Sequence, residues 1–133
     1  MANIVAIQEL VNGPRHLVIK LDVEGDGNSE FSEMLVEIGN YDCTEVRLDG
    51  IKGHVDGFDI NLTWGGTTEA PLFKISDALH SYIDLDWSKT GGLINPKVAN
   101  YTGDVNMTST GLEQGEIASL EFHFIKKHYE APR

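Results

Sequence analysis

The feature that most constrains this chain is an alternation of apolar and polar residues along several short segments. From His16 to Glu24 every second side chain is apolar, and the same two-residue period returns from Ala118 to Phe124. A period of two places alternate side chains on opposite faces of a β-strand, whereas an α-helix requires a period near 3.6. With turn-forming residues about every ten positions, the pattern predicts about eight or nine antiparallel strands. We therefore expect one all-β domain over residues 1–133, a β-sandwich or jelly roll.

The first alternating segment leads into an acidic loop that fits much of a calcium-binding template. Asp22, Glu24 and Asp26 occupy its first, third and fifth positions, and Glu33 occupies its last. An EF-hand needs a helix before this loop, and the two-residue period before Asp22 is incompatible with a helix. We therefore interpret residues 25–32 as an acidic connection between two strands and expect no metal ion there.

The dipeptide Asp56-Gly57 lies between two alternating arms, which is a strong signal for a β-hairpin with a two-residue turn. The hairpin would have three facing pairs, namely Val55 with Phe58, Gly53 with Ile60, and Ile51 with Leu62. The second arm would bury a stripe formed by Phe58, Ile60, Leu62 and Trp64.

The first arm contains a break in its alternation. Val46 and Leu48 are out of phase with Ile51, so one extra residue is needed to keep all three on one face. We predict a β-bulge at Asp49-Gly50, since glycine is favoured at bulges.

The second half of the chain contains weaker signals. Residues 70–76 predict a short strand, and Pro71 near its start suits either an edge strand or the start of a strand. Residues 77–87 are compatible with one helical turn or with a strand. We expect a loop over 91–96 and a strand over 103–110.

The composition and charge of the chain argue against several kinds of partner and binding site. The net charge of -11 disfavours binding to nucleic acid or to an anionic membrane, because like charges repel. Cys43 is the only cysteine, so we expect neither an internal disulfide nor a cysteine-based metal site. The first residues lack the pattern of a signal peptide, and no apolar run is long enough to span a bilayer.

No catalytic motif is present in the sequence, and we expect neither enzymatic activity nor a cofactor. Asp84 and Asp86 would project to the same side of a strand, as a glycosidase pair does, but such pairs arise by chance in a chain this acidic. Trp64 continues a buried stripe and is assigned to the core. Trp87 has polar neighbours, which favours an exposed aromatic side chain that contacts either a sugar or another protein.

Five segments together resemble a family of small proteins encoded among the head and structural genes of tailed bacteriophages. They are GPRHLVIKL (13–21), VRLDGIKGHVDGFDINLTWGGTTEAPLFKI (46–75), GGLINP (91–96), GDVNMTSTG (103–111) and GEIASLEFHFIKK (115–127). The resemblance implies a virion component, foremost a capsid decoration (cement) protein that binds the major capsid protein from outside. It also implies assembly in the host cytoplasm and closed cyclic symmetry, with a trimer favoured.

Two alternatives to a decoration protein stay open at this point. One is a neck or tail component, and the other is a carbohydrate-binding module that uses Trp87. For attachment to a partner, the segment 1–11 is a candidate arm, with Ile4, Val5 and Ile7 as contacts, although it could equally be an ordinary first strand.

Overall fold

A computed structural model describes residues 3–27, 30–41, 43–76, 82–98 and 100–127. These residues form nine strands and two single-turn 3-10 helices, at Ile38–Asn40 and Ser88–Thr90. The strands are β1 (Ile4–Asn12), β2 (His16–Glu24), β3 (Ser32–Val36), β4 (Glu45–Asp56), β5 (Asp59–Gly66), β6 (Ala70–Ile75), β7 (Ile83–Asp86), β8 (Tyr101–Thr110) and β9 (Ile117–Lys127).

The strands form two antiparallel sheets. The order in the larger sheet is β1-β2-β9-β4-β7, and the order in the smaller sheet is β3-β8-β5-β6. The fold is therefore a nine-stranded β-sandwich, as the alternating pattern predicts.

The core lies between the two sheets, and its centre is on β9. Phe122 faces Ile19 of β2 on one side and Ile51 of β4 on the other, and all three side chains are fully buried. The stripe of β5 that ends at Trp64 is buried as predicted, with Trp64 only 2% exposed. Alternate residues of central strands thus supply most of the apolar area removed from water.

The predicted bulge in β4 is confirmed. Leu48 faces Phe124 and Gly50 faces His123, which leaves Asp49 as the extra residue. The bulge keeps the apolar side chains before and after it on the same face of β4, since Leu48 and Ile51 on either side of it are both buried. A β-carbon at Gly50 would lie 2.9 Å from a backbone oxygen of β7, so close strand approach also favours glycine.

The predicted hairpin at Asp56-Gly57 is wrong, although both of its strands exist. β4 pairs with β9 and β7, whereas β5 pairs with β8 and β6 in the other sheet. The expected pairs were Val55 with Phe58, Gly53 with Ile60, and Ile51 with Leu62, and none of them forms. A type I′ hairpin requires positive φ at both central residues, but only Gly57 adopts it, at 95°. The turn instead carries the chain from one sheet to the other, so that both apolar faces meet in the core.

The second half of the chain largely follows its weaker signals. β6 is an edge strand with Pro71 as its second residue, as predicted. For residues 77–87 the strand alternative holds over Ile83–Asp86, while 77–81 lie outside the described residues. Residues 91–96 form the predicted loop, apart from a single bridge between Leu93 and Leu48.

The acidic connection after β2 is held by hydrogen bonds. The strand predicted before Asp22 is confirmed as β2, and β3 follows the loop. The carboxylate of Glu30 accepts hydrogen bonds from the Ser109 hydroxyl and from the backbone N–H groups of Gly111 and Leu112, at 2.7–3.0 Å. Desolvation raises the pKa of Glu30, but these three hydrogen bonds outweigh it and leave the pKa below its ordinary value.

Candidate functional site

The N-terminal segment is an edge strand of the larger sheet. β1 pairs with β2 from Ile4 opposite Glu24 to Asn12 opposite Leu17. Among the described residues no strand lies on its other side. The candidate arm spans residues 1–11, of which 1–2 lie outside the described residues, and from Ile4 onward this segment is the first strand of the sandwich.

β1 is largely exposed, and among the described residues no strand of the smaller sheet covers it. Ile7 and Leu21 face each other across β1 and β2, so their side chains lie on the same, inward face of the sheet. Leu21 is fully buried, whereas Ile7 is 41% exposed. A five-stranded sheet packed on a four-stranded one thus leaves the last strand beyond the edge of the core.

The exposed strand is rich in apolar side chains. Four of the large apolar side chains that the described residues leave exposed lie on β1: Ile4 (58%), Ile7 (41%), Leu10 (44%) and Val11 (45%). Ile117 (44% exposed) lies on the outer face near Ile4, because both face Glu24 of β2 from opposite sides. These exposed apolar side chains lie on both faces of the edge strand, with Ile7 on the inward face and Ile4 and Ile117 on the outer face, and clusters of exposed apolar side chains mark interaction surfaces.

The C-terminal half of β1 is fastened by a polar network at one end of the core. The buried Lys126 ammonium contacts the Asn12 side-chain oxygen and lies 5.6 Å from the centre of the Tyr41 ring, a cation–π distance. Desolvation, together with a hydrogen bond to Glu9, raises the pKa of Tyr41 to about 12. Side chains of β9 and of the segment around Tyr41 thus hold the C-terminal half of β1 in place, and among the described residues no strand pairs with its outer edge.

The predicted contacts fall into two separate groups. Ile4, Val5 and Ile7 lie together on β1, with Val5 partly buried against the core. Trp87 follows β7 at the opposite edge of the same sheet, four strand spacings or roughly 19 Å away. These side chains cannot belong to one compact contact.

The prediction that Trp87 is an exposed aromatic is wrong. Its ring is partly buried and packs edge-on against Phe73, with the ring centres 5.3 Å apart. Its backbone N–H donates to the carbonyl oxygen of the bulge residue Asp49 at 2.7 Å. The alternation of Ile83, Leu85 and Trp87 continues the inward face of β7, and it is the sequence signal that points to this burial.

A groove of about 420 Å³, lined by both apolar and charged residues, crosses the outer face of the larger sheet. Its floor is the backbone at Gly50, and its walls include His123 on one side and Asp84 and Asp86 on the other. The two carboxylates lie on the same side of β7, as the sequence predicts, and two hydrogen bonds from Ser88 lower the pKa of Asp86. Within the described residues no three acidic, histidine or cysteine side chains form a metal-binding group.

The exposed apolar residues of β1 extend beyond the three that the sequence analysis selected. Leu10 and Val11 are also exposed, at the bulge between Glu9 and Val11 that shifts the register of β1. Their signal was the nearly unbroken apolar character of residues 4–11, with apolar residues on both faces of the strand. A strand covered on one side only usually has one polar face.

No helix among the described residues has the length and apolar character needed to cross a membrane. Comparison of the chain with protein-family models, with curated proteins and with solved structures gives no match.

Proposed function

We propose that this protein is a non-enzymatic virion structural protein, a capsid decoration (cement) protein that attaches to the outside of a phage head. The observation that supports attachment best is the set of exposed apolar side chains on β1, which includes Ile4 on the outer face, Ile7 on the inward face, and Leu10. The segment resemblance supports the choice of a phage head. The proposed partner is the major capsid protein of the same phage, and the proposed assembly is a closed trimer.

A rigid sandwich suits this role for a physical reason. A cement protein has to transmit load between capsid subunits, and a closely packed core resists deformation. The N-terminal strand offers apolar area for a partner while the network around Tyr41 and Lys126 fixes its position. Little conformational entropy is then lost from this strand on attachment.

The test uses heads assembled without this protein, to which the purified protein is added back. Heads with the protein should withstand heat, chelator and osmotic shock better than heads without it. β1 is hydrogen-bonded into the sheet, so point variants are preferable to deletion of residues 2–11. Ile4→Lys should reduce binding, whereas Met34→Lys, at a similarly exposed apolar side chain on the edge strand β3, should bind normally.

Three outcomes would replace this proposal. Equal resistance of heads with and without the protein would remove the cement role. Recovery of the protein only in tail fractions, measured by mass spectrometry of purified heads and tails, would assign it to the neck or tail. Glycan binding that Trp87→Ala abolishes, with head attachment intact, would support the carbohydrate-binding module. The half-buried ring of Trp87 leaves limited area for stacking on a sugar.

A further inference from the structure

The four edge strands of the sandwich differ in how well they are protected against pairing with another chain. β7 has four residues and two of them are the charged Asp84 and Asp86, while β6 carries Pro71 and Lys74. β3 has five residues, including Glu33, and contains a register shift. Short length, charge, proline and bulges are the devices that prevent strand addition at sheet edges.

β1 has almost none of these devices. It is nine residues long, it lacks proline, and Glu9 is its only charged residue. Its bulge lies near Leu10, so the segment Ile4–Glu9 forms a regular, uninterrupted ladder with β2. An unprotected edge of six regular residues is long enough for a partner strand of ordinary length.

The direction of the backbone groups of β1 follows from the hydrogen bonds of β2. Gly25 exchanges hydrogen bonds with the connection that precedes β9, and the Arg15 carbonyl accepts from the N–H of Lys126 on β9. Odd-numbered residues of β2 therefore point their backbone groups to β9, and even-numbered ones point to β1. The His16 carbonyl fits this alternation, because it accepts from the N–H of Gly13 on the β1 side.

This alternation determines which backbone groups of β1 are free. Ile4, Ala6 and Gln8 face even-numbered residues of β2, so their N–H and C=O groups bond to that strand. The groups of Val5, Ile7 and Glu9 therefore point away from the sheet. Within the described part of the chain, three donors and three acceptors in regular spacing are thus available to an added strand, next to apolar side chains on both faces.

We propose that β1 binds an extended, basic segment of the capsid protein by strand addition, through the backbone groups of Val5, Ile7 and Glu9. The chain has a net charge of -11, and exposed Glu9 and Glu24 lie at the two ends of the regular ladder. Charge complementarity therefore favours a segment with Lys or Arg and with apolar residues at alternate positions. This inference rests on the proposed function, since it specifies how the protein attaches.

The test compares two substitutions of one residue in sedimentation with shells of the major capsid protein assembled without this protein. Ile7→Pro removes the N–H group that points outward from the sheet. Because this group is not hydrogen-bonded to β2, its loss should leave the pairing of β1 with β2 intact, and the variant should fold. Ile7→Ala removes apolar area but keeps the N–H group. We expect Ile7→Pro to bind about tenfold more weakly than Ile7→Ala, and wild-type binding to weaken as the NaCl concentration rises.

A second measurement needs no variant. In wild-type protein bound to the shells, amide hydrogen exchange at Val5, Ile7 and Glu9 should slow at least tenfold relative to the free protein. If the wild type does not sediment with the shells, the proposed function fails. If it does, but Ile7→Pro binds like Ile7→Ala or these three amides gain no protection, strand addition is wrong while attachment stands.

Discussion

Strands β1 and β9 have similar apolar content but opposite environments. β9 is central in its sheet and covered by the smaller sheet, so Phe122 and Phe124 are buried. β1 is at the edge and uncovered, so Ile4 and Ile7 are exposed. The difference shows that an apolar strand contributes most to stability where a second sheet lies opposite, and that an uncovered strand leaves apolar side chains for contacts with other molecules.

The largest expected effect on stability is in the covered strand β9. Phe122→Ala removes a ring that is fully buried between Ile19 and Ile51. We expect a loss of about 3–5 kcal/mol in the free energy of unfolding, from lost apolar burial and from the cavity left behind. Urea denaturation measures this loss, and a value below about 1 kcal/mol would contradict the position of Phe122 in the core.

The turn that joins the two sheets comes next. Gly57 has a φ of 95°, which a β-branched residue adopts only with strain. Gly57→Val should therefore cost about 1–3 kcal/mol of unfolding free energy. Gly39→Val is a matched control, because Gly39 has no positive φ and a β-carbon there would meet nothing within 4 Å. Equal stability of the two variants would argue against this turn geometry.

The connection between β2 and β3 should show a smaller effect. Glu30→Gln weakens the hydrogen bonds to Ser109, Gly111 and Leu112, and in this exposed position we expect a loss of roughly 1 kcal/mol. Because the folded state lowers the pKa of Glu30, its stabilisation is present above pH 4.5 and is lost as the pH falls through the folded pKa. Denaturation curves at pH 7 and pH 3 should therefore differ less for the variant than for the wild type. Because the connection is not expected to bind calcium, EGTA should leave the stability of both proteins unchanged.

The smallest effect on stability is expected in the uncovered strand β1. Ile7→Ala removes a side chain that is 41% exposed, so its loss should cost about 0.5 kcal/mol. Binding to capsid shells should suffer more than stability does. A destabilisation close to that of Phe122→Ala would mean that β1 is covered in the isolated protein, and the contrast between the two strands would disappear.

The sequence predicts strands far better than it predicts how they pair. Alternation identified β2, β5 and β9 because side-chain direction along one strand is a local property. The partner of β4 is a global property, and Asp56-Gly57 signalled only that the chain turns. Both arms carry apolar faces, so crossing to the other sheet buries both, whereas a hairpin would leave them side by side in one sheet.

The candidate site was predicted in part for a similar reason. Ile4, Val5 and Ile7 could be selected because they are apolar and near the N-terminus. How exposed they are could not be predicted, since it depends on a five-stranded sheet packing on a four-stranded one. The assignment of Trp87 failed because sequence neighbours indicate polarity along the chain, while Phe73, its packing partner, is distant in sequence.

The most direct test of the free edge is residue-resolved amide hydrogen exchange in the isolated protein, measured by NMR. The backbone directions predict an alternation along β1, with slow exchange at Ile4, Ala6 and Gln8 and fast exchange at Val5, Ile7 and Glu9. Uniformly slow exchange across these six residues would show that another strand already covers the edge. Uniformly fast exchange would show that β1 is not paired with β2, and either result would contradict this account.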